Sequence, residues 1–229
     1  METYKLSDET RKIKRNTVLH RVIALPGNSF VEAGTQGGWI ENESNLLDGG
    51  WVADNACVYD NAIVGSGALI KDKARIYDMA RVFGECVVSD RARVFGNAAL
   101  LGFDETDINQ TKPIKLCGTA IIHDDYWNES PYYVEGSVWP VNISSRSTLR
   151  IGCYDYTLRD WKESYYMKFV DYSDEIVKKV DSSNILSVLQ EYIGYFNHAC
   201  ELLGKPELKT NVFNVLCSFA GKGFQLANS

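Results

Sequence analysis

No stretch of the 229 residues is apolar over the roughly 20 positions that a membrane-spanning helix needs, and the opening METYKLSDETRKIKRN lacks the apolar core of a secretory signal. The expectation is a cytoplasmic protein without membrane contact. An excess of positive charge is missing too: 24 Lys and Arg stand against 30 Asp and Glu, a formal net charge of -6. That balance argues against a protein built to wrap duplex nucleic acid, where phosphate contacts dominate affinity, and leaves room for small anionic ligands.

Ligand-like cysteine spacing is absent as well. The six cysteines, Cys57, Cys86, Cys117, Cys153, Cys200 and Cys217, form no CxxC and no Cys/His spacing, so they read as reduced thiols and no metal site is expected. The sequence contains no Walker loop, dinucleotide fingerprint, HExxH or nucleophile elbow. No resident cofactor follows from it. With 45% hydrophobic residues the chain can nevertheless bury a core, and its length suits one or two domains.

What is present is a period of six. Aliphatic residues recur from Ile40 through Leu46, Val52, Val58, Val64, Ile70, Ile76, Val82, Val88 and Val94 to Leu100. Four positions after most of them sits a small residue: Ser44, Gly50, Ala56, Ala62, Ala68, Ala74, Ala80, Cys86, Ala92 and Ala98. Between the two come turn formers such as Asp54-Asn55, Asp60-Asn61, Ser66-Gly67 and Gly96-Asn97, which tolerate the left-handed backbone of a sharp corner. A period of six cannot keep one face of a helix in register, so each unit reads as a short strand plus a corner. Three units then close a triangular coil of about 18 residues, and coils stack at about 4.8 Å with the aliphatic residue inside. The pattern resembles the hexapeptide repeat of left-handed parallel β-helices, and the handedness is taken from that resemblance.

The expected fold is therefore mainly β: a left-handed parallel β-helix over 38–127, with a loop insertion at 102–115 after which Leu116, Ala120 and Ile122 resume the pattern. Residues 1–37, with the alternating run TVLHRVIAL, form an N-terminal β cap over the open end. Antiparallel strands follow over 128–156. Residues 157–229 end in helices: one from a capping box at Thr157-Leu158-Arg159-Asp160 to about Val170, a second on the amphipathic pattern Ile185 to Leu203, a third from Leu208 to Phe219.

Residues on either side of each buried aliphatic point outward, and those 18 apart share a face. One face carries Tyr59, Tyr77 and Phe95 beside Cys57, Arg75 and Arg93, and an insertion of ten residues places His123 directly above Phe95. Alternating guanidinium groups and aromatic rings suit a base with its phosphates, so Arg75, Tyr77, Arg93, Phe95 and His123 are the candidate ligand-binding residues. Other faces carry Leu47, Phe83 and Leu101 with Ile63 and Arg81, and Trp51, Leu69 and Val87 with Lys71 and Ser89. They are too apolar for water on every side, which points to self-association as a homotrimer or a multiple of it, with Tyr59, Phe83 and Leu101 at the subunit interface. Arginine and aromatic ladders also serve as plain subunit contacts. Only three histidines exist, His20, His123 and His198. His123, in AIIHDD beside the insertion, is where a general base would stand, with Asp124 or Asp125 to orient it.

The order of LHRVIAL, GGWIENESNL, the six-residue array with its xNA corners and RIGCYDYTLRDW looks like that of hexapeptide-repeat proteins of phages and prophages, distantly similar to the YdcK-like group. The resemblance covers the chain up to about Trp161. It implies a viral protein of the bacterial host cytoplasm, trimeric, with no assigned catalytic residues. The functional expectation is a non-catalytic binding protein of anti-defence type, which sequesters a small nucleotide-like anion or engages a host defence protein. Two alternatives are a CoA-dependent acyltransferase using acetyl-CoA with His123 as base, and a purely structural trimer. AIIHDDYW superficially resembles the histidine-bearing coil of such transferases, but the six-residue units cease just after His123.

Overall fold

In a computed structural model of the chain, residues 2–13, 16–104, 106–107, 110–163, 185–211 and 213–215 are described. They divide into two units, Met1–Tyr133 and Val134–Ser229.

In the first unit the period of six becomes a pairing rule. Strand β3 (Gln36–Ile40) lies parallel to β5 (Cys57–Val58), which continues to β8 (Arg75–Ile76), β11 (Arg93–Val94) and β14 (Ile121–Ile122). The register runs Trp39, Cys57, Arg75, Arg93, Ile121 from rung to rung. A second parallel sheet orders β4 (Trp51–Val52), β7 (Leu69–Ile70), β10 (Cys86–Val88) and β13 (Ile114–Leu116). A third orders β6 (Ile63–Val64), β9 (Arg81–Gly84), β12 (Ala99–Gly102) and β15 (Tyr126–Trp127).

The positions of the aliphatic series point inward: Ile40, Val52, Val58, Val64, Ile70, Ile76, Val82, Val88, Val94, Leu100 and Ile122 are each 0% exposed. Each such side chain contributes about 1.5–3 kcal/mol by leaving water. The alanines four positions later are equally buried, and a larger side chain there has nowhere to go.

Corners are held by aspartates. Asp54, Asp60, Asp72, Asp78 and Asp90 all adopt the left-handed conformation, with φ between 54° and 59°. Their carboxylates then accept the backbone N–H of the next rung: Asp54 from Asp72 at 3.1 Å, Asp72 from Asp90 at 3.1 Å, Asp90 from Gly118 at 2.8 Å, and Asp60 from Asp78 at 3.3 Å. One residue type thus supplies both the backbone turn and the bond that ties successive corners together.

Between Gly102 and Ile114 the chain leaves the ladder. Phe103 and Thr111 form an antiparallel bridge, and Lys112 Nζ reaches the Asp104 carboxylate at 2.7 Å. That lysine holds the Asp104 carboxyl well below the usual range. Pairing resumes at Ile114, the register partner of Cys86.

At the other end β1 (Tyr4–Lys12) and β2 (Val18–Ala24) pair antiparallel with each other, and β2 pairs antiparallel with β3. The guanidinium groups of Arg11 and Arg21 lie 4.6 Å and 4.3 Å from the Trp39 ring centre. Arg11 also donates to the Cys57 thiol at 2.6 Å, so the low end of the first sheet's outer face is covered.

The second unit carries the antiparallel sheet β16 (Tyr133–Glu135), β17 (Pro140–Ile143), β18 (Thr148–Ile151) and β19 (Tyr154–Thr157). Helix α1 spans Ile185–Leu202, followed by a left-handed Gly204 at φ +65°. Its Tyr192 hydroxyl accepts from the N–H groups of Val138 and Trp139 and donates to the Trp139 carbonyl at 2.8 Å. Thr157 caps a helical stretch at 158–163, accepting from the Asp160 N–H at 3.1 Å. The expected continuation to Val170 lies outside the described residues. So does 216–219 of the expected third helix, of which 213–215 are helical and Pro206–Leu208 is a short 3-10 turn.

The expected fold class is corrected by these sheets. The described residues form a mainly-β molecule of one mixed, two parallel and one antiparallel sheet with few helices, not a single left-handed β-helix solenoid with a cap. The physical reason is that a period of six specifies which residues point inward and which rungs pair, but carries no handedness. It is also silent on the period-two strands β1 and β2, which extend the first ladder antiparallel and make it a mixed sheet of seven strands.

Candidate functional site

Rungs of a parallel sheet stand about 4.8 Å apart, so identical outward positions bring identical chemistry into contact. Tyr59 stacks on Tyr77 with centroids 5.2 Å apart and planes 4° from parallel, and Tyr77 stacks on Phe95 at 4.9 Å and 7°. His123 continues the column at 5.8 Å, tilted by 37°. The rings occupy one another's faces, so the outer surface of the column is ring edge and no slot for a base opens between rungs.

Beside the column, Arg75 and Arg93 are register partners on β8 and β11. Both are exposed, and neither side chain has a hydrogen bond or ion pair among the described residues. Like charges directly opposite one another repel, and here no carboxylate is paired with either. The nearest acids of the corner, Asp60 and Asp78, are turned to the N–H groups of Asp78 and Gly96.

Burial pushes the Tyr59 hydroxyl up to about 12, with the neighbouring Tyr77 adding to the shift and Arg75 opposing it. Burial also raises Tyr77, against the pull of Arg93. Both phenols remain neutral donors at ordinary pH, so the face presents two cations and no titrating tyrosinate. Burial raises the Cys57 thiol as well, although Arg11 and Arg75 favour its thiolate.

His123 Nδ1 lies 2.8 Å from Asp124 Oδ2, so Asp124 is an orienting partner of the imidazole. Asp124 is itself fixed: its Oδ1 accepts from Asn97 N–H at 3.4 Å, and its carbonyl accepts from Trp127 Nε1 at 3.0 Å. An ionised carboxylate can only accept, so in that pairing Nδ1 carries the proton.

Arg75, Tyr77, Arg93, Phe95 and His123 are therefore brought together on one sheet face. The expected interface residues are not. Tyr59 belongs to that column, whereas Phe83 and Leu101 are register partners on β9 and β12 of another sheet. There the Phe83 ring lies over Gly65, whose added Cβ would sit 3.1 Å from it, and Leu47 is 44% exposed. His20 lies on β2 and His198 on α1, where its Nδ1 is 3.7 Å from Glu201. Among the described residues no group of three or more His, Cys, Asp or Glu could hold a metal ion.

Sequence reasoning missed the contact of Arg11 with Cys57 and Trp39, which joins residues 46 apart through a side chain no periodicity marks. No helix among the described residues is long and apolar enough to cross a membrane. No protein-family model matches the chain, and no curated protein matches it.

Proposed function

We propose that the first unit is a non-catalytic binding module for a small nucleotide-like anion, held at Arg75 and Arg93 beside the aromatic column. The observation that carries this reading is the pair of adjacent, exposed guanidinium groups with no acidic partner among the described residues. A bound diphosphate or similar anion relieves their repulsion and offers each a bidentate acceptor. Since ring faces are taken up within the column, a base would lie against the ring edges and the neutral tyrosine hydroxyls.

Such a protein acts by mass action, removing a signal rather than transforming it. The resemblance to phage proteins supports reading that action as counter-defence. Self-association into trimers through the Leu47, Phe83 and Leu101 surface is part of the same proposal, its support being the half-exposed apolar side chains there. The test is calorimetric titration of the full chain with ADP. Arg93→Ala is expected to weaken binding at least tenfold, roughly the worth of one charge-assisted hydrogen bond, without changing the subunit count. Unchanged affinity would remove this face from consideration.

A further inference from the structure

The column that carries Arg75 and Arg93 continues downward through Cys57 to Trp39, so the repeat itself supplies no further cation on that side. Strand β1 supplies one instead. Arg11 Nη2 donates to the Cys57 thiol at 2.6 Å, and its guanidinium lies 4.6 Å from the Trp39 ring centre. We infer, on the footing that Arg75 and Arg93 hold an anion, that Arg11 is the third guanidinium of the same face and that the ligand is a nucleoside triphosphate.

The charge of Arg11 is unbalanced. A thiol and an indole are neutral partners, and burial raises the Cys57 thiol so that it keeps its proton. Arg11 and Arg75 are the charges that act on this thiol, so both stand close to it. Acids from the adjoining segments are engaged elsewhere: Glu9 of β1 pairs with Arg21 at 3.2 Å, and Glu41, just after β3, accepts from the Asp60 N–H at 2.8 Å. Arg21, the other cation against Trp39, also donates to the carbonyls of Gly37 and Asp54.

Hydrogen bonding at this rung is incomplete as well. Arg11 Nε and Trp39 Nε1 are buried without a partner among the described residues, and Trp39 is only 5% exposed. Donors kept from both water and an acceptor cost free energy, so an anion that draws the guanidinium toward its oxygens is favoured here.

Rungs about 4.8 Å apart spread three guanidinium groups over about 10 Å. A diphosphate engages two neighbouring forks, and a third phosphate in series reaches the third. The order of the rungs also sets the direction of the ligand. The terminal phosphate lies at Arg11, and the nucleoside lies beyond Arg93, against the edges of Phe95 and His123.

The experiment is calorimetry of the full chain with ATP, ADP and tripolyphosphate in buffer free of divalent metal. ATP is expected to bind at least tenfold more tightly than either of the others. Arg11→Met keeps an apolar stem over Trp39 but loses the charge, and the preference for ATP over ADP should vanish with it; Arg11→Gln serves if that variant does not fold by circular dichroism. Arg159→Ala removes an exposed arginine of the second unit and should leave the preference intact, so that the higher charge of ATP alone does not explain it. A preference that survives loss of Arg11, one that falls equally in Arg159→Ala, or equal binding of tripolyphosphate and ATP would overturn the inference. ADP binding with ATP no tighter would overturn it while leaving the Arg75 and Arg93 site standing, whereas absence of binding by both nucleotides would remove both.

Discussion

The imidazole of His123 rests on the ring of Phe95, centroids 5.8 Å apart. It does so because Arg93 pairs with Ile121, so the excursion between Gly102 and Ile114 is carried outside the ladder without breaking it. Phe95 is therefore the middle of a stack, with Tyr77 at 4.9 Å on its other side. Phe95→Leu keeps apolar volume but loses both ring contacts, and should cost about 1–2 kcal/mol in urea unfolding. The His123 ring protons should also shift in NMR spectra as the neighbouring ring current disappears. A cost below about 0.3 kcal/mol would mean that the stack contributes nothing beyond burial.

Asp72 combines a left-handed backbone at φ 59° with a carboxylate that accepts the Asp90 N–H. Asp72→Ala removes the acceptor and strains the corner, and is expected to destabilise by about 2 kcal/mol. Asp72→Asn keeps both an oxygen acceptor and left-handed tolerance, and should cost less than half as much. Equal losses for the two would contradict the double role.

Ala92 is 0% exposed at a corner between β10 and β11. Ala92→Leu adds three carbons where the packing has no room and should cost about 1–3 kcal/mol or more. Met79→Leu, which places the same side chain at an exposed position, should be nearly neutral, so thermal unfolding of the two variants checks which positions line the interior.

The Tyr59 hydroxyl ionises at an ordinary value near 10 in the unfolded chain and at about 12 in the folded protein. The unfolded state therefore releases its proton first as pH rises. The resulting stability is complete below pH 10 and is lost progressively between about pH 10 and 12. Denaturation midpoints measured from pH 9 to 11.5 should fall for the native chain and fall less steeply for Tyr59→Phe.

Much of the interior was legible from spacing alone. Val58, Ile76 and Val94 are buried because a fixed interval repeats a fixed environment, and Arg75, Arg93, Phe95 and His123 meet on one face for the same reason. The expectation of a single left-handed solenoid went beyond the spacing, since inward positions follow from distance along the chain while chirality and the antiparallel joining of β2 to β3 do not. Nor does spacing say that Tyr59, Tyr77 and Phe95 turn their faces to one another instead of to a ligand, or that Arg11 reaches over Cys57.

Native mass spectrometry of the intact protein, purified from cells of its own setting, measures occupancy of the Arg75 and Arg93 face most directly. The expected spectrum shows a retained anion of nucleotide mass per chain, absent from the Arg75→Ala/Arg93→Ala double variant and present in Arg159→Ala. Bare protein at every concentration of added ADP, or an adduct that survives loss of both arginines, would contradict it.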